Sequence, residues 1–235
     1  MHAPSAPPAS PSSAPRPPTA RDDPRDARAR FWNRAARKYA RDPIADPAGY
    51  ETTLRRVREL LSPDLSVLEV GCGTGSTALR VAAGTRRMLA TDVSDEMIAI
   101  AREKLAALPL PRLRFEVAAA EDGAPDGARH DVVLAFNVLH LVADLDVALG
   151  AVVRSLKPGG LFVTKTPCVA EMNVLVPWVL LPILRTLGRA PDLQVFDAHG
   201  LRAAIERHGL VVEAVERHGS TRRDFRVFIV ARRPA

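Results

Sequence analysis

Apolar residues follow two alternating rhythms through the middle of the chain. Short apolar runs that are typical of buried strands lie near 67–70, 88–91, 113–117, 131–135 and 161–166. Between these runs, apolar residues spaced three and four apart predict helices near 75–83, 95–107 and 144–155. Strands that alternate with helices at this spacing predict a parallel sheet with helices on both faces.

Two further helices are predicted ahead of the first strand. The second runs from about 48 to 61 and ends before Pro63. The first begins near Ala27 and places these residues at helical spacing: Phe31, Trp32, Ala35, Ala36 and Tyr39. Residues 1–26 contain eight prolines and almost no large apolar side chain, so a disordered tail is predicted there.

The alternation of predicted strands and helices ends after the fifth strand. Residues 167–196 are apolar and interrupted by prolines, and we expect them to form a lid packed on the N-terminal helices, to line an apolar acceptor pocket, or both. A helix is predicted over 198–208, followed by strands at 210–216 and 225–231 whose short link makes them antiparallel. We therefore expect one domain from 27 to 235, with a helical cap at 27–62 and the lid insertion.

The turn after the first strand carries the strongest chemical signal. In Val67-Leu68-Glu69-Val70-Gly71-Cys72-Gly73-Thr74-Gly75, an acid interrupts a buried strand and glycines then alternate. Burying Glu69 is costly without a partner, and glycines let a ligand lie on the backbone. A dinucleotide fold would want G-x-G-x-x-G, but Ser76 occupies the place of the third glycine. An ordinary glycine-rich turn is the remaining alternative.

This run resembles motif I of the class I S-adenosylmethionine-dependent methyltransferases, close in style to the ubiquinone/menaquinone-type enzymes. The resemblance implies a Rossmann-like α/β fold: a seven-stranded, mostly parallel sheet of order 3-2-1-4-5-7-6, with strand 7 antiparallel. It implies S-adenosylmethionine as cofactor, with Glu69, Gly71, Cys72, Gly73 and Gly75 among the residues that bind it.

The resemblance implies a second group of cofactor residues after strand two. Asp92 matches the acid that receives the ribose hydroxyls, and a carboxylate can accept two hydroxyl donors at once. Capping of the next helix is the competing role for Asp92, but Ser94 can serve as that cap. Val93 and Met97 would pack on the adenine faces, although Met97 fits a plain core position equally well.

A third group follows strand three, where the family places an acid and a backbone amide against the adenine edge. The matching residues are Ala120, Glu121 and Asp122. Ala119 stands where the family commonly has an acid, which is a departure. Either the backbone reads the adenine alone or one of the two acids substitutes, and a solvated acidic loop is the alternative.

Candidates for the reacting end are fewer. The resemblance places the backbone of Asn137 against the methionine part of the cofactor and Tyr39 over it, though Tyr39 also fits a core aromatic. In-line methyl transfer needs alignment more than acid–base chemistry. If a base is used, His140 is the candidate, with a packed structural histidine as its alternative. Glu171 and Asn173 are weaker candidates.

Composition narrows the function classes. The net charge is +6, but the basic residues are mostly arginines near acids and no basic run is interleaved with aromatics, so nucleic-acid binding is disfavoured. Two distant cysteines, Cys72 and Cys168, predict no disulfide framework, and no metal-ligand spacing occurs. No apolar run is long enough to span a bilayer, and no signal-peptide core is present, so we expect a cytoplasmic protein.

The leading hypothesis is methyl transfer from S-adenosylmethionine to a small, lipophilic or aromatic acceptor. The alternatives are an RNA or protein methyltransferase and a cofactor-binding protein without turnover. The sequence specifies neither the acceptor, nor the methylated atom, nor the oligomeric state.

Overall fold

A seven-stranded sheet organises the protein in the computed structural model, which describes residues 24–172, 193–220 and 224–235. Its strands, in chain order, are β1 (Ser66–Val70), β2 (Arg87–Asp92), β3 (Leu113–Val117), β4 (His130–Phe136), β5 (Leu156–Pro167), β6 (Val211–Glu216) and β7 (Arg226–Arg232). The α-helices are α1 (Pro24–Tyr39), α2 (Pro47–Leu60), α3 (Ala78–Val81), α4 (Asp95–Ala106), α5 (Leu145–Ser155) and α6 (Ala198–Arg207).

The strand order is β3-β2-β1-β4-β5-β7-β6, which confirms the predicted order. β7 pairs antiparallel with both of its neighbours, β5 and β6, and the other strand pairs are parallel. The order reverses beside β1, so the carboxyl ends of β1 and its neighbours β2 and β4 meet at a topological switch point. In open α/β sheets, ligands bind in the crevice at such a point.

Alternate side chains of each central strand enter two different cores. In β1, Val67 faces the core under α2, α3 and α4, whereas Leu68 faces the core under α5 and α6. All five residues of β1 are buried, as expected for a central parallel strand covered on both faces. A third, smaller cluster joins α1 to α4 through Ala36, Met97 and Ile100, and it holds α1 beside the carboxyl edge of the sheet.

Two local predictions were wrong in detail. The helix predicted over 75–83 begins only at Ala78 and continues as a 3-10 turn over Ala82–Gly84, because Gly75 has φ +76°, which a right-handed helix does not allow. The strand predicted over 161–166 begins earlier, at Leu156, and residues 157–160 lie inside β5 as a register shift opposite His130 and Val132. Gly159 has φ +75° there, and its N–H donates to the carbonyl of Arg233 at 2.9 Å.

Parts of three predictions lie outside the described residues. These are the tail up to residue 23, the centre of the predicted lid over 173–192 with Asn173, and residues 221–223 in the link between β6 and β7. The first helix starts at Pro24, three residues before the predicted start.

Candidate functional site

The glycine turn at the end of β1 is built for close approach. Gly71, Gly73 and Gly75 all have positive φ, at +68°, +54° and +76°. A Cβ on Gly71 would lie 2.3 Å from Cγ2 of Val138, and one on Gly75 would lie 2.6 Å from Cζ of Phe115. At Gly73 the nearest atom would be Cε1 of Tyr39, at 3.8 Å. Two glycines therefore allow tight packing, and the third leaves backbone open beneath an aromatic ring.

Cys72 helps to fix the shape of this turn. Its N–H donates to the carbonyl of Thr91 at 2.8 Å, and its own carbonyl accepts the N–H of Gly75 at 3.0 Å. Its thiol is buried, and burial, reinforced by the nearby Glu69 and Asp92 carboxyls, raises the pKa of the thiol well above its usual value. The thiol is therefore protonated at neutral pH, and the role of Cys72 is to shape the backbone.

Asp92 connects β2 to the glycine turn. Its two carboxylate oxygens accept the N–H groups of Gly73 and Ser94, each at 2.9 Å. Ser94 caps α4 by accepting the N–H of Met97 at 3.1 Å, so the predicted cap is confirmed. Burial raises the pKa of Asp92, although these backbone hydrogen bonds oppose the shift. Each oxygen has a second acceptor site, which leaves the carboxylate able to accept ligand hydroxyls.

Glu69 is a buried acid on the face of β1 that packs under α2. It is 2% exposed, and its Oε2 has no hydrogen-bond partner among residues 24–172, 193–220 and 224–235. Burial, followed by the charge of Asp92, raises the pKa of Glu69 to about 8. An unpartnered buried carboxyl oxygen beside a glycine turn is where a ligand amine would gain most from binding.

Arg28 and Glu121 close the other end of the site. Arg28 Nη1 lies 2.7 Å from Glu121 Oε1, and their side chains are 11% and 3% exposed. Glu121 also accepts the N–H of Ala143 at 2.9 Å. Burial alone would raise the pKa of Glu121, but the hydrogen bonds from Arg28 and Ala143 outweigh it and lower that pKa. Within the described structure, Glu121 Oε2 and Arg28 Nε and Nη2 have no partner.

A cavity of about 40 Å³ lies between α1 and the carboxyl edge of the sheet. Asp92, Gly71 and Glu121 contribute to its wall, together with Arg28 and Trp32 from α1. The structure thus brings together residues from the first three predicted groups. The sequence analysis missed Arg28, although it lies four residues before Trp32 and so on the same helix face.

Some of the residues predicted to contact adenine line the cavity, and others do not. Val93 and Ala120 line the cavity. Met97 packs between α1 and α4 instead, in the cluster with Ala36. Asp122 is exposed and pairs with Arg25 at 2.7 Å.

Trp32 and Tyr39 form an aromatic edge along α1. Their rings meet edge to face, with centroids 6.2 Å apart. Tyr39 is half exposed, and it is the residue nearest to the open side of Gly73. Burial of its hydroxyl and the charge of Asp92 raise the pKa of Tyr39, so it remains a neutral phenol at physiological pH.

Asn137 and His140 lie after β4. Asn137 has φ +53°, a conformation that costs energy for a residue other than glycine, and its N–H donates to the carbonyl of Lys165 at 2.8 Å. Burial lowers the pKa of His140 to about 4, and its Nδ1 has no partner within the described part of the chain. The imidazole is therefore neutral at pH 7 and a weak base.

Other candidate chemistry is limited. Glu171 accepts the N–H of Ala198 at 2.9 Å and pairs with Arg217 at 2.7 Å, so its carboxylate is engaged in structural contacts. Among the described residues, no three His, Cys, Asp or Glu side chains are placed to hold a metal ion. The helices that the structure describes include none long and apolar enough to cross a membrane.

Comparison with known proteins finds similarity to methyltransferases over part of the chain. The profile of the methyltransferase domain family matches residues 67–160, which run from β1 into the first half of β5. The chain is 31% identical over 128 residues to a ubiquinone biosynthesis O-methyltransferase of Sinorhizobium medicae, covering 54% of this chain and 50% of the relative. It is 30% identical over 138 residues to a trans-aconitate 2-methyltransferase of Variovorax paradoxus, covering 58% and 50%. The chain therefore spans about half the length of these curated relatives.

Among solved structures, the fold is similar to that of magnesium protoporphyrin IX methyltransferase from Synechocystis PCC 6803, determined with bound SAH. The TM-score is 0.69 at 16% identity, covering 90% of this chain and 100% of that one. At this identity the likeness concerns the fold, and it confirms the Rossmann-like architecture expected from the sequence.

Proposed function

We propose that the protein transfers a methyl group from S-adenosylmethionine to a small molecule by in-line displacement, and the match of residues 67–160 to a methyltransferase domain model supports this proposal. One observation carries the proposal: the Asp92 carboxylate is hydrogen-bonded to Gly73 of the glycine turn, beside a cavity that also reaches Glu121. The relatives named ubiquinone biosynthesis O-methyltransferase and trans-aconitate 2-methyltransferase support a small molecule as the substrate class.

The residues present fit S-adenosylmethionine at both of its ends. The partnerless oxygen of Glu69 suits the amine of the methionine part, and the open backbone at Gly73 suits its carboxylate. Asp92 suits the ribose hydroxyls because each of its oxygens can still accept a hydrogen bond. The free oxygen of Glu121 suits the adenine amino group. The cavity is smaller than the cofactor, so we expect α1, with Arg28, to shift when the cofactor binds.

The cofactor supplies a methyl group on a positively charged sulfur, which is already an activated leaving group. The chain's part is then to align donor and acceptor and to exclude water. The Tyr39 ring lies nearest to the open side of Gly73 and contacts Trp32 edge to face, which supports the role proposed for Tyr39. Asn137 holds a strained turn beyond β4, which supports a contact through its backbone.

A general base at His140 is the less favoured part of the proposal. A histidine with a pKa of about 4 is a weak base, so it would accelerate proton removal from the acceptor only slightly at pH 7. An acceptor that ionises by itself, or a nitrogen that carries a lone pair, needs no such base. Methyl transfer without a base therefore remains compatible with the site.

Several finer features belong to the same proposal. A lipophilic or aromatic acceptor rests on the apolar composition of 167–196, which we propose as a lid. Organisation as one domain from 27 to 235, with a cap at 27–62, rests on α1 and α2 flanking the sheet. A cytoplasmic location rests on two unpaired, buried cysteines. RNA or protein methylation, and cofactor binding without turnover, are the alternatives that the experiment below and acceptor screens would address.

Calorimetric titration with S-adenosylmethionine and S-adenosylhomocysteine tests the proposal. We expect Asp92→Ala to weaken binding by about tenfold or more, or about 1.4 kcal/mol, because ribose loses its acceptor and the Gly73 N–H loses its partner. Asp126→Ala is the matched control. Its exposed carboxylate also accepts a backbone N–H, that of Ala128 at 2.9 Å, but it does not line the cavity. A folded wild-type protein that binds neither compound would refute the proposal.

A further inference from the structure

Lys165 is a buried cation that the proposed mechanism does not yet use. It lies near the carboxyl end of β5 and is 6% exposed. In the sheet register it pairs with Phe136 on β4, and Val70 on β1 pairs with Ala135, the residue before Phe136. Lys165 therefore stands level with Gly71, two strands away, at a spacing of about 10 Å. This is the level at which the glycine turn leaves the sheet.

Helix α2 links Lys165 to the glycine turn. Tyr50 and Thr53 are three residues apart and lie on one face of that helix. Tyr50 Oη lies 3.3 Å from the hydroxyl of Thr77, just beyond the turn, while the hydroxyl of Thr53 accepts a hydrogen bond from Lys165 Nζ at 2.8 Å. One face of α2 thus covers the turn at one end and Lys165 at the other.

A chain of hydrogen bonds that starts at Thr53 holds the Lys165 ammonium group in position. Thr53 lies 3.1 Å from Nδ1 of His218, and Nε2 of His218 lies 2.9 Å from the Glu216 carboxylate. Glu216 in turn accepts from Arg56 at 3.0 Å. Because Thr53 is held by this chain of hydrogen bonds and also donates to the carbonyl of Gly49 at 2.8 Å, it positions Nζ in one place.

The ammonium group of Lys165 is incompletely partnered. It can donate three hydrogen bonds, and Thr53 is its one partner among the residues that the structure describes. Asp224 and Asp46 influence it from a distance. Asp224 Oδ1 accepts from Arg226, its buried Oδ2 has no partner among the described residues, and Asp46 accepts backbone N–H groups of 49 and 220. Burial, together with the charge of Arg226, lowers the pKa of Lys165. Such a group gains most from an anion that supplies the missing contacts.

We propose that Lys165 is an acceptor-binding residue that selects small molecules carrying an oxyanion, such as a carboxylate or a phenolate. This inference rests on the proposed function, because only then does the methyl donor bind beside Gly71, at the same height along the strands as Lys165. Lys165 holds the anionic group in a water-poor site, and Thr53 is a positioning residue that acts through it. The role needs no proton transfer, so it does not depend on His140.

The experiment exploits the small number of lysines, of which the chain has four: Lys38, Lys104, Lys157 and Lys165. Labelling lysine Cε with carbon-13 gives few NMR signals, and the signal missing from Lys165→Met identifies that of Lys165. The protein is first saturated with S-adenosylhomocysteine and then titrated with benzoate, with 4-nitrophenolate and with benzamide as the neutral analogue of benzoate. We expect the two anions to shift the Lys165 signal saturably and benzamide to leave it unchanged.

Matched variants separate binding from folding. Lys165→Met should weaken benzoate binding by about tenfold or more, and Lys38→Met, at an exposed lysine paired with Asp42, should not. Thr53→Val should weaken it and Thr53→Ser should restore it, since only the hydroxyl holds Nζ. Unchanged S-adenosylhomocysteine affinity in each variant shows that the site is folded.

Two outcomes overturn the role of Lys165 alone: equal benzoate affinity in Lys165→Met, or no response of the Lys165 signal to either anion while S-adenosylhomocysteine binds. Absence of S-adenosylhomocysteine binding to the wild-type protein instead overturns the proposed function, and the role of Lys165 with it.

Discussion

Replacing Gly71 with alanine tests whether the glycine turn is packed as tightly as the structure shows. Two costs arise at this position. An L-residue at φ +68° costs about 1–2 kcal/mol relative to glycine. The new methyl would also lie 2.3 Å from Cγ2 and 2.5 Å from Cβ of Val138, far inside van der Waals contact, and overpacking of this kind costs about 1–3 kcal/mol. We expect the free energy of unfolding to fall by about 2–5 kcal/mol.

Gly159 provides the matched control. It has φ +75°, close to that of Gly71, but a Cβ there would meet no atom within 4 Å. Gly159→Ala therefore carries the conformational cost of about 1–2 kcal/mol without the clash. The difference between the two variants isolates the contact with Val138. Adding Val138→Ala to Gly71→Ala should recover part of that difference, because it removes the two Cγ atoms and leaves Cβ in place.

Urea unfolding followed by circular dichroism measures these differences, and titration with S-adenosylhomocysteine reports on the site. Because Gly71 and Val138 both line the cavity, Gly71→Ala should also weaken binding, whereas Gly159→Ala should not. If the two glycine variants lose the same stability, then Val138 does not pack against the turn as described and the reasoning is refuted.

Three further predictions concern buried groups. Arg28→Met leaves the Glu121 carboxylate buried without its cation, so the free energy of unfolding in urea should fall by about 3–5 kcal/mol. Adding Glu121→Gln should restore part of that loss. If the effects of the two substitutions on the free energy of unfolding are simply additive, the ion pair is contradicted. Burial raises the pKa of Glu69 to about 8 in the folded protein, whereas an unfolded glutamate has a pKa of about 4.3. Between these pH values the folded state holds a proton that the unfolded state has released. The free energy of unfolding should therefore fall as pH rises from about 5 to 8. Glu69→Gln should flatten that slope in urea titrations at several pH values, and an unchanged slope would assign it to other groups. Cys72 and Cys168 are both buried with raised thiol pKa values, so neither should react with a thiol-specific reagent such as DTNB in the native protein and both should react in urea; fast native labelling would contradict their burial.

The sheet was predictable because its signals are local. The apolar runs at 67–70 and 113–117 correspond to strands at Ser66–Val70 and Leu113–Val117. Ser94 identified the start of α4 because a capping side chain bonds within its own first turn. The helix after Gly75 was predicted too long because its composition favours a helix, while the positive φ of that glycine depends on how the turn packs against Phe115.

The proximity of the residues predicted to bind the cofactor followed from the sequence in outline. Asp92, Glu121 and the glycines each follow a strand, and the carboxyl ends of neighbouring parallel strands meet at one edge, so their proximity follows from the fold. Met97 could not be assigned, since a methionine at that position serves either a ligand face or a helix interface. The structure places it in the interface with α1.

The sequence by itself determined the elements and the turn that carries the glycines, because these depend on residues close in the chain. The strand order followed only from the resemblance of that turn to a known family. Tertiary structure alone decided which charged side chains are buried. Arg28 reaches Glu121 from α1, and Lys165 reaches Thr53 across 112 residues of sequence. On a single helix or strand such residues are indistinguishable from solvated ones. Their burial follows from the packing of α1 and α2 over the sheet, which brings their partners within hydrogen-bonding distance.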